Sequence, residues 1–363
     1  MKILIFNLTP RWWMLHYSSQ FCNELSKIAD TKVAIADYYN ENLYNENIGF
    51  LKIRTNPNPK SFIFDTLSFW NHIIFLYKII RFKPDIIHFL DNHPWYIVYS
   101  RLFKILGYKI YVTQHDPTLH TWEWASLQWK IAEKTNQVLR DLADKLFVHW
   151  DKLRNELIEK YNISENKVIF IVHGNYNFFK DVFSKWWKLE KNTFLFFGRI
   201  VDYKWLDLLL ESLFIVKEKI SNFKLIIAWP GDLSKYRENI EKLKDNLEIF
   251  NYNIEPEEAY KFFEKSEFLI LPYHDATWSW VIPVAYAFSK PVIITNVWEL
   301  PSVVENNVTW LIVEKNNVAK LAENIIFMLE NEEKTIEMWK KWREFTDREL
   351  WWEWVVKKVY NLG

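Results

Sequence analysis

The sequence predicts an α/β protein of two domains, each built around a parallel β-sheet. Short apolar runs of strand length alternate with amphipathic segments of helix length, which is the pattern of βαβ units. The same rhythm restarts near residue 193, after an interruption at 178–191 that is rich in Lys, Trp and Asn. The length of 363 residues is about twice that of a typical domain. We therefore expect two Rossmann-like domains that face a central cleft.

The first domain is expected to span residues 1–180. Its apolar runs are assigned as strands at 2–8, 31–36, 85–90, 109–115, 145–149 and 168–173. Helix-length segments lie between them, for example 17–29 and 69–82. Segment 69–83 is apolar with three basic residues near its end. We interpret it as a core helix with a solvated basic tip, and a membrane-surface patch is the alternative.

The second domain is expected to span residues 190–345. Its strands are assigned at 193–200, 224–231, 247–252, 268–274, 291–295 and 310–314. Helices are expected at 206–220 and 236–244, which follow the first two of these strands. Strands alternating with helices in this way indicate a second parallel sheet.

Charge and cysteine content exclude several classes of protein. Lys+Arg and Asp+Glu both total 46, so the chain lacks the basic excess of a nucleic-acid-binding protein. Cys22 is the only cysteine, which excludes an intrachain disulfide and a cysteine metal cluster. No apolar run reaches the roughly 18 residues of a membrane span. We interpret the opening segment as a first strand rather than a signal peptide, and we expect a cytoplasmic protein.

Glycine is scarce in this chain and tryptophan is abundant. Average usage would give about 25 Gly at this length, whereas the chain has 6 Gly and 21 Trp. Glycine serves positive-φ turns and close backbone approaches, which a fold of this size needs in number. The composition therefore indicates either an unusual fold or an unusual reading of the gene.

The segment 196–205, FFGRIVDYKW, is the strongest candidate for a binding site. An apolar strand ends at Gly198, Arg199 and Lys204 follow, and a helix is expected from residue 206. Ligands of open α/β sheets bind at the carboxyl ends of strands, and helix N-termini bind anions. Arg binds phosphate with two parallel hydrogen bonds, and Lys adds a mobile charge. The segment predicts a phosphate site, with two solvated surface cations as the alternative.

Two further polar positions follow strands of the second domain. Ser279 comes at the expected start of a helix, where its hydroxyl and nearby N–H groups are placed to meet a phosphate; an ordinary N-cap is the compatible alternative. Glu299 comes after the strand at 291–295, where a carboxylate is placed to contact a sugar or ribose hydroxyl. A first-turn Glu favoured by the helix dipole is the alternative there.

Histidines follow strands of the first domain. His115 ends one strand beside Asp116 and is a candidate for bonding a substrate hydroxyl, with an ordinary loop histidine as the alternative. His173, followed by Gly174, repeats the arrangement. No HxxxH or HExxH spacing occurs, so we predict no metal site.

Together these segments resemble the group 1 family of retaining glycosyltransferases, which have the GT-B fold. Segment 196–205 is similar to the family's Gly-Arg…Lys-Gly diphosphate motif, with Arg199 and Lys204 as its cations. His173 and Gly174 are similar to the family's His-Gly element, and His115 matches the histidine of its acceptor-side loop.

The end of the chain carries the same resemblance. The run WWEWVVKKVY is similar to the family's terminal helix. Residues 346–363 are therefore expected to form a helix that returns to the N-terminal domain.

The resemblance implies transfer of a sugar from a nucleotide-diphosphate sugar to an acceptor with retained anomeric configuration. The implied catalytic residues are His115, Arg199 and Lys204, and the implied donor-binding residues are Arg199, Lys204, Ser279, Val281 and Glu299. No cofactor or bound metal is expected, because cationic side chains and a helix N-terminus neutralise the leaving diphosphate. The implied partners are the nucleotide-sugar donor and a glycan or lipid-linked acceptor, with no nucleic acid. Cell-surface glycan or polysaccharide assembly at the inner membrane face, with peripheral membrane contact, is the corresponding expectation.

The chain departs from the family at its acidic pattern. Many members carry Glu-x7-Glu, but alignment on Pro283 puts Trp278 and Tyr286 at those places. The segment is similar instead to a subgroup with a Ser-Gly-Val-like run, to which Ser279 and Val281 correspond. The ribose carboxylate is therefore unassigned, and the donor base and sugar stay open.

Tryptophan also stands where the family pattern has glycine. The positions are Trp12, Trp13, Trp205, Trp229, Trp280, Trp298 and Trp310, and Trp122 and Trp150 are similar. A Trp at a positive-φ turn is strained, and its indole would fill the donor site. One cause accounts for all of them: UGA codons that mean Gly in the source were translated as Trp. We hypothesise that many of the 21 Trp are Gly in the natural protein, whereas those at 70, 95 and 352 sit in apolar contexts that suit Trp.

Two other classes of function remain open from the sequence. A sugar-nucleotide epimerase of the same fold would share the donor site and need no acceptor. A non-catalytic nucleotide-binding protein is the alternative if the Trp residues are genuine.

Overall fold

The computed structural model of the chain describes residues 1–9, 12–39, 41–56, 58–115, 127–177, 180, 187–275, 279–297, 300–303, 310–349 and 351–361. The chain divides into two compact units. Unit 1 comprises Met1–Gly174 and Leu350–Gly363, and unit 2 comprises Asn175–Glu349.

Strands and helices alternate through both units. The strands are β1 (Lys2–Asn7), β2 (Asp30–Ala36), β3 (Gly49–Ile53), β4 (Ile86–Phe89), β5 (Lys109–Thr113), β6 (Lys145–Val148), β7 (Val168–Phe170), β8 (Thr193–Phe197), β9 (Lys224–Ala228), β10 (Leu247–Phe250), β11 (Phe268–Leu271), β12 (Val292–Thr295) and β13 (Leu311–Val313). The α-helices are α1 (Trp12–Leu25), α2 (Pro59–Leu67), α3 (Phe69–Phe82), α4 (Tyr96–Ile105), α5 (Leu127–Leu142), α6 (Asp151–Glu159), α7 (Leu206–Lys219), α8 (Arg237–Leu243), α9 (Pro256–Lys265), α10 (Val281–Ala287), α11 (Val318–Glu330), α12 (Glu332–Glu349) and α13 (Trp352–Tyr360).

Unit 1 is a seven-stranded parallel sheet in the order β3-β2-β1-β4-β5-β6-β7. In the inner strand β1, Ile3 to Phe6 are all completely buried. Continuous apolar runs of this kind are typical of parallel strands that are covered on both faces. Ile3 pairs with Thr31 of β2 on one side and with Ile86 of β4 on the other.

The C-terminal helix α13 belongs to unit 1 and packs against α1. The indole Nε1 of Trp352 donates to Gln20 Oε1 at 3.1 Å, and the Tyr360 hydroxyl pairs with His88 Nδ1 at 2.7 Å. The same helix buries its valine side chains completely. The indole of Trp352 also lies against Gly174, where a Cβ would collide with it.

Unit 2 is a six-stranded parallel sheet in the order β10-β9-β8-β11-β12-β13. Helices α7 and α11 pack against each other, and both bury leucine and isoleucine side chains in the core of this unit. The chain leaves β8 for β9 on one side, and β11 lies on the other side, so β8 and β11 flank the point where strand order reverses. Sheets of this type bind ligands outside the carboxyl ends of the strands at that point.

The predicted fold class is confirmed: two α/β units with parallel sheets, and a C-terminal helix that packs on the N-terminal unit. The sequence analysis did not identify β3, which is short and follows a polar stretch. Trp12 and Trp13, two of the Trp at family Gly positions, are the first residues of α1. The interpretation of 69–83 as a core helix is wrong for most of α3, because only Phe75, Ile79 and Phe82 are buried and the other apolar side chains are exposed or half-buried. Within the described residues, no helix combines the length and apolar character needed to cross a membrane.

Candidate functional site

The loop after β8 holds the two predicted phosphate-binding cations. Gly198 has a φ of +115°, and a Cβ at this position would meet the Lys204 ammonium. Arg199 follows and is exposed. A short 3-10 turn, Asp202–Lys204, then leads into α7. Glycine at 198 therefore leaves the space in which Lys204 lies at the carboxyl end of the strand.

Lys204 is a buried cation. Its side chain is 5% exposed, and its Nζ lies 5.1 Å from the centre of the Tyr273 ring. Burial, and then the charge of Arg199, lower the pKa of Lys204 to about 7. An ammonium in this setting gains from an anionic ligand that neutralises both cations. The loop thus carries two positive charges, one of them buried, as is expected of a site that binds an anion.

The second candidate loop, between β11 and α10, lies beside the first. His274 N donates to the Tyr203 carbonyl at 2.8 Å, which ties the two loops together. Ser279 is buried, and its Oγ lies 3.3 Å from the Tyr273 hydroxyl. Val281 is completely buried, and its Cγ2 lies 3.9 Å from where a Gly198 Cβ would be. The structure thus brings Lys204, Ser279 and Val281 together around Tyr273 and Gly198.

Two details of the sequence predictions differ from the structure or lie beyond it. The residue that caps α10 is Trp280 rather than Ser279, and no side-chain capping bond forms there. Glu299 lies outside the described residues, as do Trp278, Trp298 and Trp122. Their predicted roles stay predictions.

Two tryptophans of unit 2 adopt backbone conformations that favour glycine. Trp205 has φ 47° and ψ 50°, and Trp229 has a φ of 133°. The other non-glycine residues with positive φ in the described ranges are four Asn, one Ser and one Lys, with φ between 51° and 62°. Short polar residues tolerate this left-handed region, whereas a bulky residue there is an outlier, and a φ near 130° is essentially restricted to glycine. The backbone at 205 and 229 is therefore that of glycine.

The other Trp positions within the described residues do not share this conformation. Trp280 has φ −62° and ψ −17°, and Trp150 has φ −140° and ψ 140°. Trp310 is completely buried, with its ring 4.8 Å from that of Tyr286 and roughly perpendicular to it. Backbone strain thus supports the glycine hypothesis at 205 and 229 and is silent on the other described positions.

Indoles occupy the carboxyl edge of the unit 2 sheet. The rings of Trp229 and Trp280 lie 5.2 and 5.7 Å from that of Phe197, the last residue of β8, and 5.9 Å from each other. Gly198 follows Phe197 directly, so these rings lie beside the loop of Arg199 and Lys204. Glycine at 229 and 280 would open space at this edge of the sheet.

In unit 1 the structure brings three histidines together. His115, His149 and His173 follow the adjacent strands β5, β6 and β7. The ring of His149 lies 4.9 Å from that of His115 and 4.7 Å from that of His173. Burial lowers the pKa of His115 to about 3 and that of His173 to about 4, and it also holds the pKa of His149 well below its usual value. All three imidazoles are therefore neutral at pH 7.

His149 is the member of this cluster that sequence reasoning missed, although a signal was present. Each of three successive strands is followed by a histidine, and the carboxyl ends of neighbouring parallel strands meet at one edge. One ring nitrogen from each histidine lies within 4.8 Å of the others, and this trio is the described group that could hold a metal ion. The motif search for HxxxH spacing could not detect ligands that come from three different strands.

Comparison with known proteins gives matches along nearly the whole chain. The family model described as "Glycosyl transferases group 1" matches residues 177–345, and the "Glycosyltransferase Family 4" model matches residues 20–194. An uncharacterized glycosyltransferase of Methanocaldococcus jannaschii, MJ1178, is 33% identical over 216 residues, which are 58% of this chain. The matched part is 55% of that protein, so this chain spans about half the length of the curated relative.

Solved structures share the fold at low sequence identity. Anabaena HepE in complex with UDP and glucose superposes with a TM-score of 0.72 at 13% identity, covering 99% of this chain and 98% of that one. Sucrose-phosphate synthase of Thermosynechococcus elongatus gives 0.70 at 16% identity, with 100% and 98% covered. A glycosyltransferase of Rickettsia africae gives 0.69 at 19% identity, with 100% and 99% covered. The two family models overlap at residues 177–194 and together match the chain from residue 20 to residue 345, and the solved structures share its fold: both parts of the chain resemble glycosyltransferases, the second part those of group 1.

Proposed function

We propose that the protein transfers a sugar from a nucleotide-diphosphate sugar to an acceptor with retention of anomeric configuration. The observation that carries this proposal is the pair of cations, Arg199 and the buried Lys204, at the carboxyl end of β8. In this proposal the donor diphosphate lies against these two side chains, with Ser279 and Val281 beside it, and Glu299 is the carboxylate predicted from the sequence to contact a sugar or ribose hydroxyl. The fold is shared with HepE, which has been solved in complex with UDP-glucose.

The chemical step places new negative charge on the leaving diphosphate. Fixed cations stabilise that charge most strongly where water is excluded, and Lys204 is buried. Burial, and to a smaller extent repulsion from Arg199, lower the pKa of Lys204, and a bound diphosphate would relieve the repulsion. The transfer proposed here therefore needs no metal at the diphosphate.

The acceptor side of the proposal falls on unit 1. We assign His115, which follows β5 and is neutral at pH 7, to the acceptor side, where the resemblance implies that it contacts a substrate hydroxyl. The acceptor class we propose is a glycan or a lipid-linked glycan, as in cell-surface polysaccharide assembly.

The test of the transfer is a donor screen on protein with glycine at 205, 229 and 280. Release of nucleoside diphosphate from UDP-, GDP- and ADP-sugars is measured with and without a lipid-linked acceptor. Arg199→Ala should cost on the order of 2–4 kcal/mol of transition-state stabilisation. Lys219→Ala removes an exposed cation at the other end of α7 and should leave turnover unchanged. Equal turnover in the Arg199→Ala protein would sink the assignment of this loop.

A peripheral contact with the inner membrane face is the second part of the proposal, and a surface of unit 1 supports it. Helices α2 and α3 expose large apolar side chains, among them Phe64 at 74%, Phe69 at 68% and Trp70 at 70%. The others are Ile63, Leu67, Ile73, Ile74, Tyr77 and Ile80. Exposed contiguous apolar surface of this kind marks an interaction site.

The exposed charges along these two helices are of one sign. Lys60, Lys78, Arg81 and Lys83 are exposed along the two helices. Asp65, the only acid between residues 60 and 83, is buried and paired with Arg54 Nε at 2.7 Å. Apolar side chains surrounded by basic ones fit the headgroup layer of an anionic membrane.

Vesicle sedimentation tests the membrane contact. The protein should bind vesicles that contain anionic phosphatidylserine and bind neutral phosphatidylcholine vesicles more weakly. The double variant Phe64→Ser, Phe69→Ser should lose most of the binding. Ile105→Ser, at the 83% exposed end of α4, serves as the control. Unchanged binding by the double variant contradicts the proposed surface.

The indoles at the carboxyl edge favour a second candidate function for a protein that has tryptophan at these positions. Trp229 and Trp280 pack beside Phe197, at the edge of the sheet where the proposal places the donor. A protein in which these Trp are genuine is then a non-catalytic member of the family. The donor screen distinguishes a transferase from a non-catalytic protein. If the natural protein has glycine at these positions, only the glycine-substituted protein will release nucleoside diphosphate. A sugar-nucleotide epimerase would be recognised by altered free sugar nucleotide in the absence of acceptor.

A further inference from the structure

Unit 1 has a cavity at the carboxyl edge of its sheet, on the side of β2 and β3. The volume of this cavity is about 580 Å³, and sites for small ligands typically measure about 300–1,000 Å³. The described part of its lining comes from the residues that follow β2, the residues that follow β3, and helix α2. The carboxyl edge of a parallel sheet is the edge at which such folds bind ligands. The cavity therefore has the size and the place of a ligand site.

An arginine and an aspartate of the lining are fixed against each other. Arg54 Nε donates to Asp65 Oδ1 at 2.7 Å, and Arg54 Nη2 donates to Ser68 Oγ at 3.3 Å. The Asp65 side chain is 9% exposed, whereas that of Arg54 is 59% exposed. Within the described residues, Arg54 Nη1 and the second carboxylate oxygen of Asp65 have no hydrogen-bond partner. The pair thus holds its position and retains one donor group and one acceptor atom for a ligand.

Two further polar side chains of the lining have unused hydrogen-bonding capacity. Thr55 is 4% exposed, and its hydroxyl bonds no other group in the described part of the chain. Asp37 directly follows β2, and its exposed carboxylate likewise has no partner there. A carboxylate accepts several hydrogen bonds, and a hydroxyl both donates and accepts. A ligand that carries several hydroxyl groups can satisfy these side chains together.

Aromatic rings also line the cavity. Tyr38 is 51% exposed, and Phe64 is 74% exposed. An exposed aromatic ring offers an apolar face, against which the C–H groups of a sugar ring can pack. Burial, and then the charges of Asp91 and Asp37, raise the pKa of Tyr38, so its hydroxyl stays protonated at pH 7 and can donate. The lining thus combines apolar faces with hydroxyl-binding groups, as a sugar requires.

The charge of the lining argues against a phosphate or another anion. Asp37 and Asp65 carry two negative charges, and Arg54 carries one positive charge, so the charged residues of the described lining sum to minus one. The guanidinium that would attract an anion is already paired with Asp65. Like charges repel, and an uncharged ligand avoids that cost.

We propose that this cavity binds an uncharged sugar unit of the acceptor glycan, at a distance from the hydroxyl that reacts. The identity of that glycan as acceptor rests on the proposed function. In the strand order β2-β1-β4-β5, the end of β5 that precedes His115 lies three strands from β2, which is roughly 14 Å across the sheet. The cavity is therefore a second subsite, and it favours acceptors of more than one sugar.

The position of Phe64 connects this subsite with the apolar surface of α2 and α3. The same ring lines the cavity and belongs to that exposed surface. A glycan whose lipid lies in a membrane bound at α2 and α3 would have its first sugar units next to the cavity.

Saturation-transfer NMR of the full chain in the absence of donor tests the subsite. The probes are four uncharged disaccharides: maltose, cellobiose, lactose and diacetylchitobiose. At least one should bind, and Asp37→Ala should weaken that binding by about fivefold or more. Asp30→Ala is the matched control, because Asp30 is an exposed aspartate at the opposite end of the same strand. Binding should be unchanged in that variant, and inorganic phosphate should not displace the sugar.

Tyr38→Ala provides a second variant, since it removes a half-exposed ring of the same lining. It should also weaken disaccharide binding, and it replaces Asp37→Ala if the latter does not fold. Binding of none of the four disaccharides, binding of equal strength in the variants, or displacement by phosphate overturns the proposal. Because no donor is present, these results are independent of the donor screen, whose failure would contradict the proposed transfer and leave the sugar site in place.

Discussion

Replacing Trp205 by Gly and by Ala tests whether the backbone there belongs to glycine. Both changes remove the same indole and its contact with the His274 ring at 5.1 Å, so the difference between the two variants isolates the backbone. At φ 47° and ψ 50°, a residue with a Cβ pays about 1–2 kcal/mol that glycine does not. The greater flexibility of unfolded glycine offsets about 0.5–1 kcal/mol of this. The free energy of unfolding of the Gly variant should therefore exceed that of the Ala variant by about 0.5–1 kcal/mol.

The same pair of substitutions at 229 and 280 completes the test. Trp229, at φ 133°, should show an advantage of glycine at least as large as that at 205. Trp280 has φ −62° and ψ −17°, so the order should reverse there, with Ala more stable than Gly by about 0.5–1 kcal/mol. Urea denaturation of the six variants measures these differences as shifts in the unfolding midpoint. If Ala equals or exceeds Gly at both 205 and 229, the reasoning about glycine positions is refuted.

Three further predictions concern protonation and packing. Burial lowers the pKa of Lys204 to about 7, so most of the lysine is neutral at pH 8 before a diphosphate binds. Diphosphate binding at pH 8 to protein with glycine at 205, 229 and 280 should therefore take up close to one proton, and the affinity should fall as pH rises above 7. Calorimetry in buffers of different ionisation enthalpy measures both the proton uptake and the affinity. Burial lowers the pKa of His88 to about 3, so its contribution to the free energy of unfolding is complete above pH 6.5 and is lost as pH falls toward 3. Lowering the pH from 7.5 to 5 should reduce the free energy of unfolding by about 2 kcal/mol through this residue. In His88→Gln the reduction should be smaller by that amount. Trp352→Ala should destabilise unit 1 by about 3–5 kcal/mol in thermal unfolding, whereas Trp354→Ala, at a 46% exposed residue of the same helix, should cost less than about 1 kcal/mol.

Hydrophobic periodicity was sufficient to predict the strands of both sheets, but it did not predict for every helix which face is buried. Apolar runs such as that of β1 are unmistakable because parallel strands are buried on both sides. Helix α3 misled the sequence analysis, because an apolar helix is the same string of letters whether its outer face meets the core or is exposed. Only the coordinates show Phe69 and Trp70 exposed on it.

The candidate sites likewise contain residues that the sequence could predict and residues that it could not. Arg199 and Lys204 could be found from the sequence because they lie on one loop with a recognisable spacing. The burial of Lys204 beside Tyr273 could not, since it depends on a loop nearly 70 residues further along the chain. His149 was missed for the same reason: three histidines become neighbours only when β5, β6 and β7 are placed side by side.

The central claim is that the carboxyl edge of the unit 2 sheet binds a nucleoside diphosphate through Arg199 and Lys204 once glycine stands at 205, 229 and 280. Equilibrium binding of UDP, GDP and ADP to the glycine-substituted protein tests it most directly, with the chain as its letters stand and the Arg199→Ala form of the substituted protein measured in parallel. We expect saturable binding of one of the three nucleotides, and this binding should be lost or at least tenfold weaker in both comparison proteins. Binding of equal strength after Arg199→Ala, or none to the glycine-substituted protein, would contradict it.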